Sequence, residues 1–187
     1  SFKLIDELKK VNVDEFIIST GGTYDREIQK TVEIMKKNSL KFSLLHCISI
    51  YPTTLEVANL NRINFLKNFT NDVGISDHSN PEIYKYKIIA GSLLLGAEIV
   101  EKHFTILAKD KTKDGVVSAN PDQLKDISKL CKLNKSDIAD YVKENVPEIE
   151  EMKGNFTREL SDDELINRDY YQGRFASKID EKIIFNW

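Results

Sequence analysis

The chain has 187 residues, a formal net charge of −3 and an apolar fraction of 41%. That length suits one ordinary domain. The 27 Lys and Arg nearly balance the 30 Asp and Glu, and no basic stripe alternates with aromatics, which argues against a nucleic-acid binder. Apolar runs fall far short of the roughly 20 residues of a membrane span. The start, Ser1-Phe2-Lys3-Leu4, lacks a signal-peptide core. Two cysteines, Cys47 and Cys131, make no disulfide framework. These features predict a soluble cytoplasmic α/β protein.

In chain order, residues 2–10 read as the end of a helix, with Phe2, Leu4, Ile5 and Leu8 as its apolar stripe. A strand over Phe16–Ser19 leads into the Gly21-Gly22 turn. Thr23 or Asp25 caps a helix over 24–37, with Ile28, Val32 and Met35 as its core face. A strand over 42–50 is closed by Tyr51-Pro52. A helix over 59–68 and a short strand over 73–76 follow. Pro81 opens a helix running to about Leu95, and Gly96 ends it. Then come a strand over 98–104, a polar loop over 108–120, and a helix starting at Asn120-Pro121-Asp122 and ending near Leu130 or Lys132.

The order is therefore one helix followed by four βα units. Ser19, Ser49, Ser76 and His103 end the four strands at intervals of 30, 27 and 27 residues. That period fits a parallel sheet or a (β/α)8 barrel. Four units are half of a barrel, which takes about 250 residues, so the fold class is the second half of a TIM-type barrel with a C-terminal extension. The expected division is 1–132 for the half-barrel and 133–187 for a helical or irregular extension.

Strand phase sharpens the site, because alternate residues face the same way. One choice of phase gathers Ser19, Ser49, Tyr51, Ser76, His78, Glu101 and His103 at one mouth. Cys47 shares that phase and reads as a small buried residue. His46 falls in the opposite phase and reads as structural, hydrogen-bonded beneath the helices.

Ser19-Thr20-Gly21, Leu45-His46-Cys47 with Tyr51-Pro52, Gly74-Ile75-Ser76-Asp77-His78 and Glu101-Lys102-His103-Phe104-Thr105 occur in that order. Together they resemble the sialic acid synthase family, N-acetylneuraminate synthase and related nonulosonate synthases, over residues 1–132. The resemblance implies a (β/α)8 barrel. It also implies condensation of phosphoenolpyruvate with an open-chain N-acetylhexosamine such as N-acetylmannosamine, with release of phosphate. The cofactor implied is a divalent metal, Mn²⁺ foremost, with Mg²⁺ or Co²⁺ as alternatives. By position, His78 and His103 resemble the two metal-ligating histidines. Ser19 and Ser76 resemble hydroxyls that hold phosphoenolpyruvate, and Ser49 and Tyr51 match positions facing the ligands. Ser49 departs from relatives that carry Asn there. Asp114 falls where the family places a sugar-binding carboxylate, although Lys113 replaces the usual Pro. Glu101 is the candidate catalytic group, orienting a ligand or a metal-bound water.

The family's phosphoenolpyruvate-binding lysines and a proton-transfer glutamate come from earlier strands, which this sequence does not contain. The expectation is that the chain alone is not a competent synthase, and that it forms a homodimer or pairs with the other barrel half. In the extension, Ser136–Val142 reads as a helix. The aromatic and basic stretch Asp169–Phe175 can pack on the barrel or meet a partner, and neither Arg168 nor Arg174 is assigned a role. Two alternatives remain at this point: a catalytically inactive sugar-phosphate-binding or scaffold protein in surface polysaccharide biosynthesis, and a different phosphosugar barrel enzyme.

Overall fold

The computed structural model describes residues 13–174, 176–179 and 182–185. The helix expected over 2–10 lies outside these residues. The described chain runs β1 (Phe16–Ser19), α1 (Asp25–Lys37), β2 (Phe42–Cys47), α2 (Arg62–Leu66), β3 (Val73–Asp77), α3 (Lys87–Leu94) and β4 (Ile99–Lys102). It continues through α4 (Pro121–Leu130), α5 (Lys135–Asn145), α6 (Ile149–Lys153), α7 (Asp162–Arg174), β5 (Ala176–Ile179) and β6 (Lys182–Phe185).

The first four strands form one parallel sheet in the order β1-β2-β3-β4, each followed by a helix. A strictly sequential parallel order, with each crossover of the same hand, keeps the helices on one face of the sheet. Phe16, Ile18, Phe42, Leu44 and Val73 pack with Ile28, Val32 and Met35 of α1 and with Ile63 and Leu66 of α2. A second cluster joins Ile75 and Val100 to Ile88 and Ile89 of α3, Ile127 and Leu130 of α4, Ile138 and Val142 of α5 and Met152 of α6. The core thus runs through residue 132 without a break.

Local chemistry accounts for most boundaries. The Glu27 carboxylate accepts a hydrogen bond from the Tyr24 amide (2.9 Å) at the start of α1, so the cap is Tyr24 rather than Thr23 or Asp25. Asn120 caps α4 by accepting from the Gln123 amide, while Gln123 accepts from the Asn120 amide (2.9 Å each). Gly96 has φ +82° just beyond α3, a left-handed turn that glycine adopts without a Cβ clash.

Three expectations need correction. The helix expected from Pro81 begins only at Lys87, because Lys85 has φ +50° and interrupts the helical path. The helix expected over 59–68 is the five-residue α2. Asn59 has φ +48°, and the amides of Leu60 and Asn61 donate to the carbonyls of Met152 and Lys153. The extension is not only helical and irregular, since β5 and β6 pair antiparallel. Their connection, Asp180-Glu181, carries none of the Asn-Gly or Asp-Gly chemistry that marks a hairpin in sequence.

Candidate active site at the C-terminal ends of the strands

Beyond β3 and β4 the backbone is held by two further bridges. The Thr53 amide donates to the His78 carbonyl (3.0 Å), and the Ala119 amide donates to the His103 carbonyl (2.7 Å). These contacts extend the sheet one rung past its regular end and fix both histidine backbones where the strands open into loops.

The two imidazoles face each other with ring centroids 5.2 Å apart. Tyr51, on the loop after β2, places its ring 4.2 Å from that of His78 and 6.0 Å from that of His103. The Tyr51–Pro52 peptide is cis. Burial pushes the Tyr51 phenol well above its ordinary pKa, so it stays a neutral donor. The Ser76 hydroxyl donates to Glu101 Oε1 at 2.6 Å, its direct partner across β3 and β4. Asp114, on the long loop before α4, brings Oδ2 to 3.9 Å from His103 Nδ1. Its loop closes tightly at Gly115, where a Cβ would lie 2.1 Å from the Lys109 carbonyl oxygen.

His78 Nδ1 lies 3.0 Å from the Ile48 carbonyl oxygen. A carbonyl only accepts, so Nδ1 carries the proton and Nε2 offers its lone pair. Burial, opposed by that bond, holds His78 below the ordinary imidazole pKa, favouring the neutral form that ligates metals. With metal–nitrogen bonds of about 2.1 Å, the two rings are within reach of one ion. Among the described residues no cluster of three or more His, Cys, Asp or Glu side chains is arranged to hold a metal. Two imidazoles are a donor set that divalent cations accept when water or substrate fills their other positions.

Ser19 and Ser49 belong to the same mouth at its β1–β2 side. The Ser19 hydroxyl accepts from the Gly21 amide (3.3 Å), and a Cβ on Gly21 would lie 2.5 Å from Ser49 Oγ. Between them lies Cys47, 4% exposed, with Sγ 3.7 Å from His78 Nδ1. Burial raises its thiol pKa against the opposing pull of the Ser19, Ser49 and Ser76 hydroxyls, so Cys47 is a neutral thiol amid three hydroxyls. Its strand phase carried that signal. His46 faces the other way, 2% exposed, with Nε2 2.7 Å from the Ala58 carbonyl oxygen.

Sequence reasoning missed two groups of residues. The first is a buried ion pair behind the histidines: Lys102 Nζ lies 2.7 Å from Asp77 Oδ2, with the two side chains 2% and 0% exposed. The pairing depends on the β3–β4 register, which no local pattern reveals. The second is the inner face of α7. Asn167 Nδ2 donates to the Ser49 carbonyl (2.6 Å), and Arg168 donates to the Gly22 carbonyl and, through both terminal nitrogens, to Glu27 (2.9 and 2.6 Å). The Arg168 guanidinium also covers the Tyr24 ring at 4.7 Å. The helix thus meets the half-barrel through Asn167 and Arg168, just before the aromatic and basic stretch Asp169–Phe175, whose Tyr170 and Tyr171 are exposed.

An ion pair also anchors the approach to α7. Arg158 contacts both carboxylate oxygens of Glu164, which is 1% exposed (2.5 and 2.7 Å). Burial, the largest single effect, would raise the Glu164 carboxyl, but the Arg158 guanidinium together with backbone hydrogen bonds from Ser161 and Ser49 holds it below its ordinary pKa. Among the described residues no helix is long and apolar enough to cross a membrane.

The chain is 37% identical over 130 residues to an uncharacterized protein of Methanocaldococcus jannaschii, covering 67% of this chain and 36% of that one. It is 34% identical over 125 residues to the N,N'-diacetyllegionaminic acid synthase of Campylobacter jejuni, covering 65% and 36%. It is 30% identical over 164 residues to a pseudaminic acid synthase of the same species, covering 87% and 42%. It therefore spans about a third to two fifths of the length of these relatives.

Among solved structures, the N-acetylneuraminic acid (sialic acid) synthetase of Leptospira borgpetersenii, in complex with citrate, aligns with a TM-score of 0.61 at 26% identity. The alignment covers 91% of this chain and 61% of that one. The spore coat polysaccharide biosynthesis protein SpsE of Bacillus subtilis shares the fold, with a TM-score of 0.66 at 24% identity, covering 86% and 43%. Residues 1–142, from the first helix expected in the sequence to the last turn of α5, match one family along their whole length: the chain belongs to the NeuB family.

Proposed function

We propose that this chain forms the second half of a (β/α)8 barrel and supplies the metal and acceptor-sugar side of a nonulosonate synthase. The reaction would condense phosphoenolpyruvate with an open-chain N-acetylated hexosamine to give a nonulosonic acid and phosphate. The observation that carries this reading is the convergence of His78, His103, Tyr51, the Ser76–Glu101 pair and Asp114 at one end of the sheet. Active sites of barrels are built at that end. The likeness to synthases of legionaminic and pseudaminic acids supports the reaction class.

His78 and His103 would hold a divalent cation, Mn²⁺ foremost, which would supply Lewis-acid polarisation of the sugar's aldehyde oxygen. The chain's own residues do the rest of the positioning. Asp114 faces the mouth beside His103, where its carboxylate can accept hydrogen bonds from sugar hydroxyls. Tyr51 walls the histidine pair on one side and presents a neutral phenol. Glu101, held by Ser76, presents its second carboxylate oxygen to orient a water or a ligand hydroxyl. The Ser19 hydroxyl and the Ser49 side chain line the opposite side, the position from which phosphoenolpyruvate would be held. Cations for its phosphate and carboxylate would come from earlier strands. Within the described residues β1 and β4 are the outer strands of the sheet, consistent with closure by those strands or by a second chain.

The test is phosphate release from phosphoenolpyruvate by a longer chain carrying the upstream strands, assayed with Mn²⁺ and N-acetylmannosamine. Release that requires sugar, metal and His103, and that collapses in His103→Ala, supports the synthase reading. Failure with this sugar and with a panel of N-acetylated hexoses would leave the inactive binding or scaffold protein as the better reading.

A further inference from the structure

We infer that the buried Asp77–Lys102 pair is a positioning device for the two histidines, a role that rests on the metal-binding reading above. Asp77 and Lys102 are direct partners in the β3–β4 register, one residue before His78 and His103 respectively. On the mouth face of the preceding rung, Ser76 and Glu101 are joined by a 2.6 Å hydrogen bond. On the opposite face Lys102 Nζ lies 2.7 Å from Asp77 Oδ2. The two strands are thus pinned from both faces immediately below the histidines.

The grip extends around His78 itself. The Ser79 amide and hydroxyl donate to Asp77 Oδ1 and Oδ2, both at 2.9 Å, and Lys102 Nζ donates to the Ser79 carbonyl at 2.7 Å. The residues before and after His78 are therefore tied to each other and to β4. His78 is left with its carbonyl on the Thr53 amide and its Nδ1 on Ile48, so few backbone adjustments remain that could move Nε2. A fully desolvated ion pair gives little net stability compared with apolar side chains of similar volume. Its retention behind a metal-type pair is better explained by geometry, as with the outer residues that orient ligands in metal sites.

The probe is Mn²⁺ alone, its binding followed by electron paramagnetic resonance on the full chain, with folding checked by thermal denaturation. Asp77→Asn and Lys102→Met each strand a buried partner and are expected to destabilise the fold. The informative variant is Asp77→Leu combined with Lys102→Leu, which removes both charges. A positioning role predicts that this folded double variant binds Mn²⁺ about 10- to 100-fold more weakly. Ser79→Ala keeps the ion pair, removes one hydrogen bond from the bracket, and is expected to weaken binding by about threefold to tenfold.

A purely structural role predicts that affinity returns wherever the fold returns. Parent-like Mn²⁺ affinity in the folded double variant overturns the inference. If the double variant does not fold, parent-like affinity in Ser79→Ala overturns it. Parent chain that binds no Mn²⁺, or binds it equally well as His78→Ala, refutes the metal reading itself and is distinguishable from both.

Discussion

His46 gives the sharpest test of the packing beneath the sheet. Its ring is 2% exposed and its Nε2–H donates to the Ala58 carbonyl. Burial lowers its pKa from 6.5 to about 4, assisted by the charges of Arg158 and Arg62 and opposed by the Ala58 bond and Glu164. In the folded chain His46 stays neutral down to about pH 4, whereas in the unfolded chain it takes a proton below about pH 6.5. Between those values the unfolded state binds more protons, so stability falls as the pH drops. At about 1.36 kcal/mol per pH unit the ceiling is roughly 3.4 kcal/mol, and about 2.5 kcal/mol of it is lost by about pH 4.5. The assay is urea denaturation of the parent and of His46→Gln at about pH 7.5 and pH 4.5. The amide of Gln keeps a donor and does not titrate, so the volume change adds only a pH-independent offset. The stability difference between the two proteins should shift by about 2 to 3 kcal/mol in favour of the variant at the lower pH. A difference that stays constant across that range would refute the reasoning.

Three further outcomes are expected. Met35→Ala, at a site with 0% exposure between α1 and the sheet, should cost about 2 to 5 kcal/mol in chemical denaturation; a loss under about 1 kcal/mol would mean the cluster collapses around the gap. Arg168→Ala removes the bonds to Glu27 and Gly22 and should speed limited proteolysis between residues 154 and 174 while the sheet stays intact, at a stability cost of about 1 to 3 kcal/mol. Cys131 is exposed and Cys47 buried, so a thiol reagent should modify one equivalent readily, and the second only at the rate at which the half-barrel opens.

The legible parts of the molecule were those set by residues near one another in sequence. The stripe Ile28, Val32 and Met35 buries as its spacing predicts, Gly96 ends α3, and Asn120 caps α4. The alternation along β2, β3 and β4 separates His46 from Cys47 and Asp77 from Ser76 and His78, as a period of two demands. What stayed hidden depended on partners far along the chain. The shortness of α2 follows from amides committed to Met152 and Lys153, and Lys102 finds Asp77 only once β3 and β4 are in register. Asn167 and Arg168 find Ser49, Gly22 and Glu27 only once α7 is laid on the β1–α1 turn.

The seating of α7 also bears on the order in which the chain folds. Sheet contacts such as Thr20 with Leu45 and Ser76 with Glu101 close loops of 25 residues, whereas Asn167 reaches Ser49 across 118 residues and Arg168 reaches Gly22 across 146. The wider loops carry the larger closure entropy, so the βα units can assemble one after another while the latch on the mouth waits until they are complete. In the native state the same contacts would be first to open and would exchange their amide hydrogens before the strands do. The loops bearing Gly22 and Ser49 would then breathe with the tail, while the histidine pair on β3 and β4 stays with the slow-exchanging sheet.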